Sequence, residues 1–178
     1  MKKIARIGQA AYHEAGHAVA AVMLEVPLTF VSIEHSRGPF GLQIGGATFC
    51  PFDFSRSLKN RTATKNYLIV LLAGEAAERR WCAQKPNRTA PSVSFSHDRK
   101  VAAGMLREIF KTSAERRSLL KRLRGAARTL IANNWIDVEL LAARLARHKV
   151  LRGTVVKRLI KSKTRRTGIT HSGRKHTG

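Results

Sequence analysis

Two histidines four residues apart, with a glutamate beside the first, are the residues of this chain best suited to chemistry: His13-Glu14-Ala15-Gly16-His17. On a helix, positions i and i+4 lie one turn apart on one face. Both imidazoles can then reach one Zn²⁺ at about 2.0–2.1 Å while Glu14 points toward a water on that ion. His13 and His17 continue at helical spacing into Ala20 and Leu24, an apolar stripe that turns both histidines inward. Two inward imidazoles one turn apart need a partner, and a metal supplies it. Ala15 and Gly16 are small, which lets a second element approach this turn closely.

A catalytic zinc site takes a third protein ligand and keeps one position open. Two acids compete for that place. Asp98 shares a helical face with Val101, Ala102, Met105 and Ile109, so its carboxylate begins an apolar stripe; it equally suits a first-turn acid facing the helix dipole. Glu78 shares a face with Tyr67, Val70, Leu71 and Gly74, or is a surface acid paired with Arg79 or Arg80. Spacing alone does not choose between them. His97 should point away from the stripe that Asp98 begins.

The elements that must position these groups follow from periodicity and breakers. A helix is expected over Ile4–Glu25, stopped by Pro27. Strands Thr29–His35 and Leu42–Phe49 flank the Gly38-Pro39 turn signal. A loop with Pro51 and Asp53 leads to a long helix, Leu58–Trp81, and a loop over 83–96 follows. The next helix starts near His97 with Ser96 as N-cap. Further helices are expected over Glu115–Asn133 and Asp137–His148, and a short one over Thr154–Ile160. The fold class is α+β, predominantly α-helical: an active-site helix, a small hairpin or sheet, and a C-terminal helical bundle. One domain spans 1–160, and 161–178 reads as a basic, disordered tail. There is no internal repeat and no phosphate-cradling glycine loop.

Composition narrows the function. The chain has 178 residues, 34 Lys+Arg and 11 Asp+Glu, a net charge of +23. Residues 101–178 hold 20 basic groups against 4 acidic ones, so the excess is concentrated there. That balance predicts adhesion to polyanions, nucleic acid or an acidic protein face, or else a solvated cationic helix surface. Aromatics are only 6%, too few for a base-stacking platform. The longest apolar runs, Ala18–Leu24 and Leu68–Gly74, fall far short of the about 20 residues a membrane-spanning helix needs. Met1-Lys2-Lys3 begins like a signal peptide, but no apolar stretch follows before His13. Cys50 and Cys82 lack metal-ligand spacing and read as reduced thiols, which points to a cytoplasmic protein and excludes a secreted disulfide scaffold.

Ala11-Tyr12-His13-Glu14-Ala15-Gly16-His17-Ala18-Val19 resembles the HEAGHA signature of the FtsH-type zinc metalloproteases. Leu72-Ala73-Gly74-Glu75-Ala76-Ala77-Glu78 is similar to that family's LxGRxAE helix, with Glu75 in place of the usual Arg. Ser94-Phe95-Ser96-His97-Asp98, followed by Val101-Ala102, stands where the family has TTGAxxD, its turn replaced by a serine-rich loop. Leu119–Ile160 is similar to the family's closing helices, so the resemblance covers most of residues 10–160 in order. It implies Asp98 as the third zinc ligand and Glu78 as a carboxylate behind a ligand histidine, holding its other ring nitrogen.

The activity implied is a stand-alone zinc endopeptidase in which Glu14 is the general base, without the family's membrane helices and ATPase module. Flexible or unfolded polypeptide is the expected substrate, bound by strand addition along Thr29–His35 or Leu42–Phe49. The partners expected are that substrate and either a separate unfoldase or a polyanion; a homo-oligomeric ring is implied by the resemblance alone. The competing reading is a binding protein, a peptidase fold kept as a scaffold, whose basic C-terminal half engages nucleic acid or an acidic partner.

Overall fold

The computed structural model describes residues 2–34, 36–37, 43–44, 47–51, 60–85 and 95–167. Helix α1 (Lys2–Met23) is followed by four short strands, β1 (Phe30–Ser32), β2 (Ser36–Arg37), β3 (Gln43–Ile44) and β4 (Ala47–Phe49). Helices α2 (Arg61–Ala83), α3 (Phe95–Ile109), α4 (Ser113–Asn133) and α5 (Trp135–His148) come next, then β5 (Val150–Arg152) and α6 (Gly153–Thr167). The molecule is thus mostly helical with antiparallel strands, as the residue pattern predicts. No helix among the described residues is long and apolar enough to cross a membrane.

From Ala11 to Val22, α1 is buried at every position except the half-buried Tyr12. A helix buried on all sides belongs at the centre of a fold, and α1 sits there, packed mainly on α2 and α5. It ends before Pro27. Glu25 takes a left-handed φ of 56°, and Val26 N–H reaches back to Ala21 O at 2.8 Å, a C-terminal motif that more often uses glycine. Gly16 lets α2 approach: a β-carbon there would lie 2.6 Å from Ala73 O and from Ala77 Cβ. The close approach expected of Ala15 and Gly16 is met.

Helix α2 divides the core. Val70, Ala73, Ala77 and Trp81 join the cluster around α1, α5, β1 and α6. Leu68 and Leu72 instead join Ala102, Met105, Leu106, Leu119, Leu123 and Ala127 of α3 and α4. Asn60 caps α2, its Oδ1 accepting from Thr62 and Ala63 N–H at 3.1 Å each. Thr112 and Glu115 form a capping box that starts α4 at Ser113.

The sheet has the order β4-β1-β5, all antiparallel, with Val31 opposite Thr48 and Leu151. The strands differ from expectation. Among the described residues, Thr29–His35 and Leu42–Phe49 pair only through β1 and β4; β3 pairs instead with β2, which lies beyond the expected first strand. β5 was not foreseen, because three residues between two helices are too few to show alternation. Its place depends on Gly153, whose N–H donates to Thr29 O at 2.7 Å.

Most helix ends shift by two or three residues from expectation, and two differences matter more. α3 begins at Phe95, so Ser96 lies inside its first turn and is not the N-cap. α6 continues through Lys161 to Thr167, where a disordered tail was expected from 161. No glycine or proline interrupts 154–167, and Lys and Arg are good helix formers. The rest of that tail, 168–178, and most of the 83–96 loop lie outside the described residues.

Candidate metal centre

α1 carries His13, Glu14 and His17 into the interior, at 5%, 6% and 6% exposure. α2 lies across this turn with Val70, Gly74 and Glu78 on one face, each four residues from the last. The first turn of α3 supplies Asp98. Glu75 of α2 tethers that turn, accepting from Arg99 Nε at 2.8 Å and from Arg79 Nε at 2.7 Å. Burial raises the Glu75 carboxyl, but Arg99 and Arg79 outweigh it and hold the group below its ordinary value.

The hydrogen bonds fix the tautomers. His17 Nδ1 lies 2.7 Å from Val70 O. A carbonyl only accepts, so Nδ1 carries the proton and Nε2 of neutral His17 is a bare lone pair. His13 Nδ1 lies 3.0 Å from Glu78 Oε2, so a neutral His13 that donates to that carboxylate has its Nε2 lone pair available for a cation. Glu78 is fully buried, at 0% exposure, and also accepts from Gln9 Nε2 at 2.8 Å. The reading of Glu78 as a surface acid paired with Arg79 or Arg80 is therefore corrected.

The two Nε2 atoms converge. His13 Nε2 and His17 Nε2 are 3.1 Å apart, and Asp98 Oδ2 stands 3.1 Å from the first and 3.3 Å from the second. A proton on an imidazole can bridge these atoms to Asp98, and a metal ion can take that proton's place. Ligands about 2.1 Å from one ion at tetrahedral angles lie about 3.4 Å apart, close to the observed triangle. His13, His17 and Asp98 therefore form a group that could hold a metal ion. Glu78 faces His13 from behind, on the ring nitrogen turned away from the triangle. His97 is exposed, as expected.

The field at the triangle is negative. Burial by itself lowers both imidazoles, but Asp98, with Glu78 and Glu14, overcomes it and raises His13 to about 10. His17 is raised as well, burial again opposed chiefly by Asp98. Asp98 is held far below the carboxylate range, since His17 and His13 outweigh its burial. A site that draws protons this strongly also draws a divalent cation, which competes with them for the same nitrogens.

Glu14 stands between the two histidines in the chain, and its carboxylate acts on Cys50, just beyond β4. Burial and Glu14 together push that thiol up to about 11. β4, which ends just before Cys50, packs against α1.

Three contributors have no counterpart in the sequence reading: Gln9, the Val70 carbonyl, and the space at Gly74. Gln9 alone carried a signal, being one turn before His13 and so on its face. No model of a known family matches the chain, and no curated protein matches it either.

Proposed function

We propose that the chain is a zinc-dependent endopeptidase of the FtsH type, acting on unfolded or flexible polypeptide. The observation that carries this reading is the triangle of His13 Nε2, His17 Nε2 and Asp98 Oδ2, with Glu14 buried on the same helical turn. His13, His17 and Asp98 would hold the zinc. Bound zinc supplies Lewis acidity, polarising a peptide carbonyl and making a water acidic near neutral pH. Glu14 takes the proton of the attacking water and returns it to the departing amine. Val70 O and Glu78 keep each imidazole in the tautomer whose Nε2 faces the ion. β4, an edge of its sheet among the described residues, offers main-chain groups to an extended substrate, which binds by strand addition.

The test is Glu14→Gln in zinc-loaded protein, assayed on an unfolded casein-like substrate. It should keep its zinc and lose cleavage by at least about 100-fold, the usual contribution of a general base. Cleavage at the parent rate would remove Glu14 from its role. Zinc-replete parent protein that cleaves nothing would overturn the peptidase reading.

A further inference from the structure

α4 carries a row of cations on its outer face. At 3.6 residues per turn, Arg117, Lys121, Arg124 and Arg128 fall within an arc of about 60°, over about 16 Å of helix. All four are exposed, while Leu119, Leu123 and Ala127 are buried on the other side of the helix. Among the described residues none of the four makes an ion pair. The one acid of α4, Glu115, is engaged by Thr112, whose hydroxyl donates to it at 2.6 Å.

On one flank of the row the residues are small, Ala114, Ser118 and Gly125; on the other are the half-buried Leu120 and Arg116. A β-carbon at Gly125 would meet nothing within 4 Å, so no packing inside the chain calls for glycine there. It costs the helix up to about 1 kcal/mol relative to alanine. The large apolar side chains exposed among the described residues are Met23, Ile136, Val150 and Val155, none of them on α4.

Protein partners are held by buried aromatic and aliphatic anchors, which this face lacks. Single strands need aromatic platforms, also lacking. Bare cations with small residues on one flank instead suit the phosphates of a duplex, where affinity comes from released counterions. A helix about 10–12 Å across fits beside or into the ~12 Å major groove of B-form DNA, whereas the A-form groove is too narrow.

We propose that α4 is a docking surface for the backbone of B-form DNA, without sequence preference, with Arg117, Lys121, Arg124 and Arg128 as its phosphate contacts. This goes beyond the peptidase reading and does not rest on it.

The full chain is titrated against a fluorescent mixed-sequence DNA duplex of about 20 base pairs between 50 and 200 mM salt. Four neutralised phosphates contribute about −3.6 to the slope of log affinity against log salt, about 150-fold over that range. Other cations of the chain add to the total, so the difference between variants is the readout. Replacing all four by glutamine should flatten the slope by about 3.6, and Arg124→Gln alone by about 0.9, with helicity and metal content unchanged. Gly125→Glu puts a better helix former at an open position and an anion beside the row; it should stay folded and bind more weakly. An unchanged slope in the fourfold variant overturns the proposal. So does equal affinity for an RNA duplex, a single strand or polyglutamate.

Discussion

Gly74 lies so close to the imidazole of His17 that a β-carbon on it would overlap Nε2, the nitrogen turned toward His13 and Asp98. One face of α2 therefore does three things at intervals of one turn. Val70 accepts from His17, Gly74 leaves it room, and Glu78 accepts from His13. The centre is made by the contact of two helices as much as by the histidines of one.

Gly74→Ala should consequently empty the site. The methyl group must displace His17 or push α2 away, and overpacking of this kind costs about 1–3 kcal/mol. The expected result is a helical circular dichroism spectrum like the parent's with metal content reduced at least tenfold. Full metal occupancy in a folded Gly74→Ala protein would show that His17 does not point where described.

The two acids should separate in the same assay. Asp98→Ala removes one of three converging donors, whereas Glu78→Gln keeps the volume and weakens only the acceptor behind His13. Losing such a supporting carboxylate costs about 10–100-fold in metal affinity. Zinc affinity measured by chelator competition should fall further in Asp98→Ala than in Glu78→Gln. The reverse order would exchange their places.

How much of this could be read from residues alone depends on distance along the chain. His13 and His17 are one turn apart, so their common face follows from helix geometry. Thr112 and Glu115 are equally local; their spacing is a capping signal that places the start of α4 at Ser113, two residues before the expected Glu115. The choice between Asp98 and Glu78 could not be made that way. Both lie on inward faces of their own helices, and only the register of α2 and α3 against α1 puts one carboxylate before the imidazoles and the other behind. The Val70 carbonyl has no side-chain signature at all. Gly74 reads as one more small residue until His17 is placed against it.

The tether of α3 should be visible in the pH dependence of stability. Glu75, at 14% side-chain exposure, accepts from Arg99 and Arg79, which hold its carboxyl below the ordinary 4.5. A carboxyl depressed in the folded state stabilises fully above its unfolded pKa and loses that contribution as pH falls through the folded one. Urea titrations should find Glu75→Gln less stable than the parent by about 1 kcal/mol at neutral pH. The gap should stay constant down to about pH 5 and close below 4.5. A gap independent of pH from 7 to 3 would mean that the carboxylate charge contributes nothing.

Tyr12 immediately precedes His13 and is held between two tryptophans, with ring centroids 5.4 Å from Trp81 and 5.5 Å from Trp135, both stacked. Cations close the outer faces: Arg80 stands 4.6 Å from the Trp135 ring and Lys85 4.9 Å from that of Trp81. The stack ties α1 to the end of α2 and the start of α5, the two helices on which α1 mainly packs. Tyr12→Phe keeps every ring contact and should leave stability within about 0.5 kcal/mol of the parent, whereas Tyr12→Ala opens a gap between the indoles and should cost about 3 kcal/mol. Tryptophan emission should shift to the red in the alanine variant alone, and zinc affinity should fall with it, because His13 loses the support of its neighbour. Equal stability and emission in the two variants would mean that the stack does not position α1.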